Sequence, residues 1–87
     1  HRQHQQASNM NKISNFEYDC RITHVHTVLA SVKSAKPNEF TAELCRLHSA
    51  VGLLIGVEPK RMTESLANRK ATAVLAAYQT IHAATAA

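Results

Sequence analysis

The chain has 87 residues, 45% of them hydrophobic but with no Trp, two Phe and two Tyr, and it carries a formal net charge of +4. A domain of this size buries only about 60–65% of the surface its unfolded form exposes. The composition therefore predicts one small core of aliphatic side chains, open to support from a partner, a crosslink or a metal. No apolar run approaches the roughly 20 residues that cross a bilayer, and two glycines are too few for a cofactor-cradling loop.

Residues 1–13, HRQHQQASNMNKI, are polar and Gln/Asn-rich without helical periodicity. They are expected to form a flexible tail. The chain opens on His1 with no apolar leader and is expected to be a processed or excised piece. Residues 14–87 are then one helical domain.

Ser14-Asn15-Phe16-Glu17 fits a capping box, in which the serine hydroxyl accepts from the third helical N–H and the glutamate reaches back to the serine N–H. Tyr18, Ile22, Val25, Leu29 and Val32 follow at spacings of four and three, which predicts a helix over 15–34 with one apolar face. Phe16, Tyr18, Cys20 and Ile22 also alternate with polar residues, a strand pattern. The helical rhythm runs on to Val32 whereas the alternation stops near Thr23, so helix is preferred. Lys36-Pro37 breaks it. A second helix is expected from Pro37 or Asn38, with Glu39 and Glu43 at the positive end of its dipole and a stripe of Phe40, Leu44, Leu47, Val51 and Leu54. Gly56 is the expected stop, in the left-handed conformation that glycine tolerates.

Pro59 suits the first turn of a new helix. Residues 60–84 read as one long helix, or two bending near Asn68, with Ala67, Ala71, Val74, Tyr78 and Ile81 on one face. Three such stripes pack together as an all-α, antiparallel three- or four-helix bundle.

Four groups of residues invite a functional reading. Cys20 and Cys45 fall on different helices. A disulfide between them would staple these helices and add roughly 3 kcal/mol, giving a processed extracellular or toxin-like chain, although Cys20 lies opposite the apolar stripe. Cys20 with His24 and Cys45 with His48 have helical spacing, and the four make a weak candidate zinc set. Solvated histidines and free thiols are the plainer reading, and no metal or cofactor is expected. No phosphate loop, HExxH, GxSxG or CxxC is present, which points away from an enzyme.

Residues 59–87 carry four basic groups against one acidic, all four basic ones within Lys60–Lys70. Such a patch suits nucleic acid, an anionic surface or an acidic protein, or is simply a solvated face. Within and before it, Val51-Gly52-Leu53-Leu54-Ile55-Gly56-Val57-Glu58-Pro59-Lys60-Arg61-Met62 resembles the helix-turn-helix pattern of DNA-binding domains: a small residue, a turn glycine four later, then a hydrophobic one. The resemblance implies close packing of two short helices and a recognition helix over 59–69 offering Lys60, Arg61, Thr63, Asn68 and Arg69 to DNA. Its last apolar position falls on Ser65, and its first helix lies inside a longer stripe.

The fourth group is the Ala-rich last helix. Ala71 and its neighbouring alanines permit close helix approach, with Val74, Leu75, Tyr78 and Ile81 as larger anchors. A stripe this wide exceeds what one small core covers, which suggests a partner helix. The expected function is a small non-enzymatic protein–protein interaction or assembly module, bound to a protein partner or to its own copies, with DNA binding and the stapled chain as alternatives.

Overall fold

The computed structural model describes residues 11–86. Strand β1 (Asn11–Ile13) leads into helix α1 (Asn15–Ser34), followed by α2 (Phe40–Ile55), strand β2 (Val57–Pro59) and α3 (Glu64–Ala86). The all-α bundle is thus a three-helix one. Residues 16–23 are helical, and α3 is continuous through Asn68.

Local chemistry explains the helix ends. The Ser14 hydroxyl accepts from the Glu17 N–H at 3.0 Å, half of the expected capping box. The other half is absent among the described residues: the Glu17 carboxylate turns forward to Arg21 at 2.9 Å instead. A full charge–charge partner one turn on outcompetes a neutral N–H for the carboxylate. The second helix starts later than expected. Residues 37–39 form a turn, in which the Glu39 N–H donates to the Lys36 carbonyl at 2.8 Å. The third helix is capped by Thr63, whose hydroxyl accepts from the Leu66 N–H at 3.1 Å.

Three expectations need correction. The tail over 1–13 is in part structured. Its residues 1–10 lie outside those described, but Asn11–Ile13 pairs in parallel with Val57–Pro59. Gly56 does end its helix, yet at φ −76°, not in the left-handed region. The chain leaves directly into an extended strand, so no reversal is needed. That strand also displaces the helix expected to start at Pro59. The Ile13 carbonyl accepts from the Lys60 N–H at 2.9 Å. In a parallel ladder a residue bonds the neighbours of the residue opposite it, so the missing N–H of Pro59, opposite Ile13, costs nothing.

Helix directions follow from the ties between them. Arg21, early in α1, donates to the Leu53 carbonyl late in α2 at 2.6 Å, so these two run antiparallel. Asp19 of α1 pairs with Arg69 of α3, near both starts, so those two run in the same direction. The small sheet closes the end where α1 begins and α2 finishes.

The core joins Tyr18, Ile22, Val25, Val28, Leu29 and Val32 of α1 to Leu47, Ala50, Val51 and Leu54 of α2. Both stripes are as the spacing predicts, with Phe40 and Leu44 half-buried at their edge. The third helix differs: its buried residues are Leu66, Ala73 and Ala77. No described helix is long and apolar enough to cross a membrane.

Candidate functional site

The faces of α3 set the surface of this molecule. Ala73 and Ala77 are fully buried, at 0% exposure. A helix turns about 100° per residue, so facing Ala73 and Ala77 inward rotates Ala71, Leu75 and Tyr78 outward. Leu75 is 59% exposed and Tyr78 49%, Ala71 is exposed, and Val74 and Ile81 are half-buried on the flank. All five belong to the expected interaction stripe. The structure keeps them along one side of α3 but takes Ala71 and Tyr78 off the core face that the sequence rhythm gave them. Small side chains let α3 approach α1 and α2 closely, and that contact fixes the rotation of the helix.

The residues read as DNA-contacting do not share one helix. Lys60 and Arg61 follow β2 in a bend, and Thr63 is the cap of α3; only Asn68 and Arg69 are helical. Two of them are tied to α1, Arg61 through its backbone and Arg69 through its side chain. The Arg61 N–H donates to Asn15 Oδ1 at 3.1 Å while Asn15 Nδ2 donates to the Arg61 carbonyl at 2.7 Å. The asparagine amide thus stands in for one more peptide of the β1–β2 ladder. Arg69 is held by Asp19. The recognition helix over 59–69 is therefore corrected to a strand end, a bend and the first turns of α3. The small residue of the pattern is not needed for packing either, because a Cβ on Gly52 would meet no atom within 4 Å.

Cys20 and Cys45 are free and exposed. Of the candidate zinc set, His24 and Cys45 line one shallow hollow with Arg46, Ser49, Ala50 and Leu53. Cys20 and His48 are not part of that lining. No three His, Cys, Asp or Glu side chains among the described residues converge as metal ligands would. The set is dispersed because Cys20 precedes Arg21, which reaches the Leu53 carbonyl, about two turns along α2 from Cys45.

Two features escaped the sequence reading. One is an open groove lined by Val32, Lys33 and Phe40 from α1 and α2 and by Ala76, Thr80 and Ala84 of α3. It exists because α3 presents small residues beside the larger Val32 and Phe40, a mismatch that only the packed arrangement reveals. The other is exposed apolar surface at the sheet end, with Phe16 at 79% and Met62 at 49%. Both were outside the counted stripes, which was the available signal.

The chemistry of the core is plain. Among the described residues none that is buried carries a charge. Burial raises the Tyr18 hydroxyl above its ordinary pKa of 10.0, and the nearby Glu58 carboxylate adds to the effect. The surface ion pairs Lys12–Glu58, Arg21–Glu17 and Arg46–Glu43 are all partly solvated and are each worth under about 1 kcal/mol. No protein-family model, no curated protein and no solved structure matches the chain.

Proposed function

We propose that this chain is a small, non-enzymatic helical interaction module whose docking surface is the outer face of α3. The observation that carries the reading is the inverted distribution of size on that helix. Ala73 and Ala77 fill the core while Leu75 and Tyr78 stand in solvent. Fully burying a side chain of the Leu class is worth about 1.5–3 kcal/mol, and the isolated chain leaves roughly half of that unrealised at both positions. A partner helix laid along α3 would recover it, as amphipathic helices do in grooves and bundles.

The test is site-specific photocrosslinking in cells of the source organism. A benzophenone side chain replaces Tyr78 in one variant and Thr27, on the exposed face of α1, in another. A discrete covalent adduct is expected from position 78 and none from position 27. Equal labelling at both, or none at 78, would remove the basis of the reading.

A further inference from the structure

The outer face of α3 has a pattern that narrows the choice of partner. Asn68, Ala71, Leu75, Tyr78, His82 and Thr85 recur at spacings of three and four, and all six are exposed. They form the seam positions of a two-stranded helix pair. The seam carries no Asp, Glu, Lys or Arg. Residues 71–87 are the longest tract of the chain without one of these four, in a protein whose net charge is +4.

We infer that the partner is a second copy of this chain, packed antiparallel along α3 about a two-fold axis between Leu75 and Tyr78. This rests on the interaction-module reading and specifies its occupant. A two-fold contact uses the same patch on both copies, so the patch must complement itself when reversed. This seam does. Reversal sets Leu75 against Tyr78 of the second copy, twice, at the centre. It sets Ala71, the smallest seam residue, against the larger His82 of the second copy. The outermost layer then places Asn68 opposite Thr85 of the second copy, two side chains that can hydrogen-bond.

The flanks are consistent with this register. Val74 and Ile81, half-buried in the single chain, lie on one side of the seam and meet their counterparts there. Thr72 and Gln79 line the other side.

Side-chain size selects the antiparallel direction. In a parallel pair like meets like, so Ala71 would face Ala71 of the second copy across a gap while His82 crowded His82. In the antiparallel pair each of these layers holds one small and one larger side chain. Arg69, paired with Asp19, and Lys70 lie on the core side of α3 and stay away from the seam in either direction.

The contact runs over residues 68–85, about 27 Å of helix. That is at the small end for specific interfaces, so a monomer–dimer equilibrium with Kd on the order of 10 µM is expected. Sedimentation equilibrium of the full chain, from about 5 to about 500 µM, is the direct measurement. A dimer is expected at the upper end and monomer at the lower. Raising salt should leave it intact, since the seam has no ion pair to screen. Leu75→Ala with Tyr78→Ala should be monomeric throughout; both side chains are about half-exposed in the single chain, and circular dichroism verifies that its helices persist.

Direction is read by disulfide trapping in a Cys20→Ser, Cys45→Ser background. A mixture of Ala71→Cys and His82→Cys chains should crosslink to each other in preference to themselves. Preference for Ala71→Cys self-crosslinking would overturn the antiparallel register. A chain that stays monomeric to the highest concentration, or a dimer indifferent to the double alanine change, would overturn the second copy as occupant. The interaction-module reading would then stand or fall separately, on whether position 78 crosslinks to a different polypeptide or to nothing.

Discussion

Tyr18 concentrates the physics of this chain at the scale of one residue. It opens the α1 stripe, is 1% exposed, and packs where the helices meet the small sheet. Its neutral form is favoured in the fold by burial first and by the Glu58 carboxylate second. The pH dependence follows from that direction. A group with a raised folded-state pKa contributes stability that is complete below the unfolded value, here 10.0, and is lost as pH climbs through the folded value. Stability should therefore fall as pH rises above about 10. Tyr18→Phe keeps the ring and removes the ionisation, so its denaturation midpoint should decline less over the same alkaline range. Parallel decline of both proteins in urea titrations would assign the loss to other groups. At this scale the sequence was partly legible. The Ser14 cap is local and could be read from four letters. The Asn15–Arg61 clamp joins residues 46 apart in sequence, and no local pattern announces it.

At the scale of elements, two helices were readable in position and phase and the third in position only. The stripes of α1 and α2 are made of large aliphatics, whose burial dominates the energy and dictates which face turns inward. On α3 the alanines are numerous enough to be buried or exposed with little change in transfer energy. Close approach to α1 and α2 then decides the rotation, and tertiary packing overrides the apolar rhythm. The strands were missed for a different reason: each is three residues long, too short for alternation to register, and each needs the other from across the chain. Gly52 gives a test of the element-scale account. It sits inside α2, exposed, with open space where a Cβ would be. Nothing there requires glycine, and its backbone freedom in the unfolded state is a cost. Gly52→Ala should stabilise the protein by about 0.5–1 kcal/mol, seen as a higher denaturation midpoint. A destabilised variant would instead indicate close helix packing at this position, as in the helix-turn-helix pattern.

At the scale of the whole molecule, the arrangement is a two-helix apolar core with a third helix laid on it through small residues. The radius of gyration is 14.8 Å, against about 12 Å for a compact domain of this length. The molecule is drawn out along its helices and leaves a long side of α3 uncovered. That side is where the interaction reading and the self-complementary seam both fall, so the phase of α3 is the quantity on which they depend. Two substitutions two residues apart test it. Ala73 is fully buried in the core. Ala73→Leu forces extra volume into a filled space and should destabilise the chain by about 1–3 kcal/mol. Ala71 is exposed, and Ala71→Leu should leave the stability of the dilute chain within about 0.5 kcal/mol of its starting value. Rotating α3 so that Ala71 joins the Val74–Tyr78–Ile81 face against the core exchanges the two outcomes. Urea midpoints at low micromolar concentration, below the range where copies associate, compare the two variants in single chains. A larger loss for Ala71→Leu than for Ala73→Leu would place Leu75 and Tyr78 at the edge of the core and withdraw the exposed seam along with them.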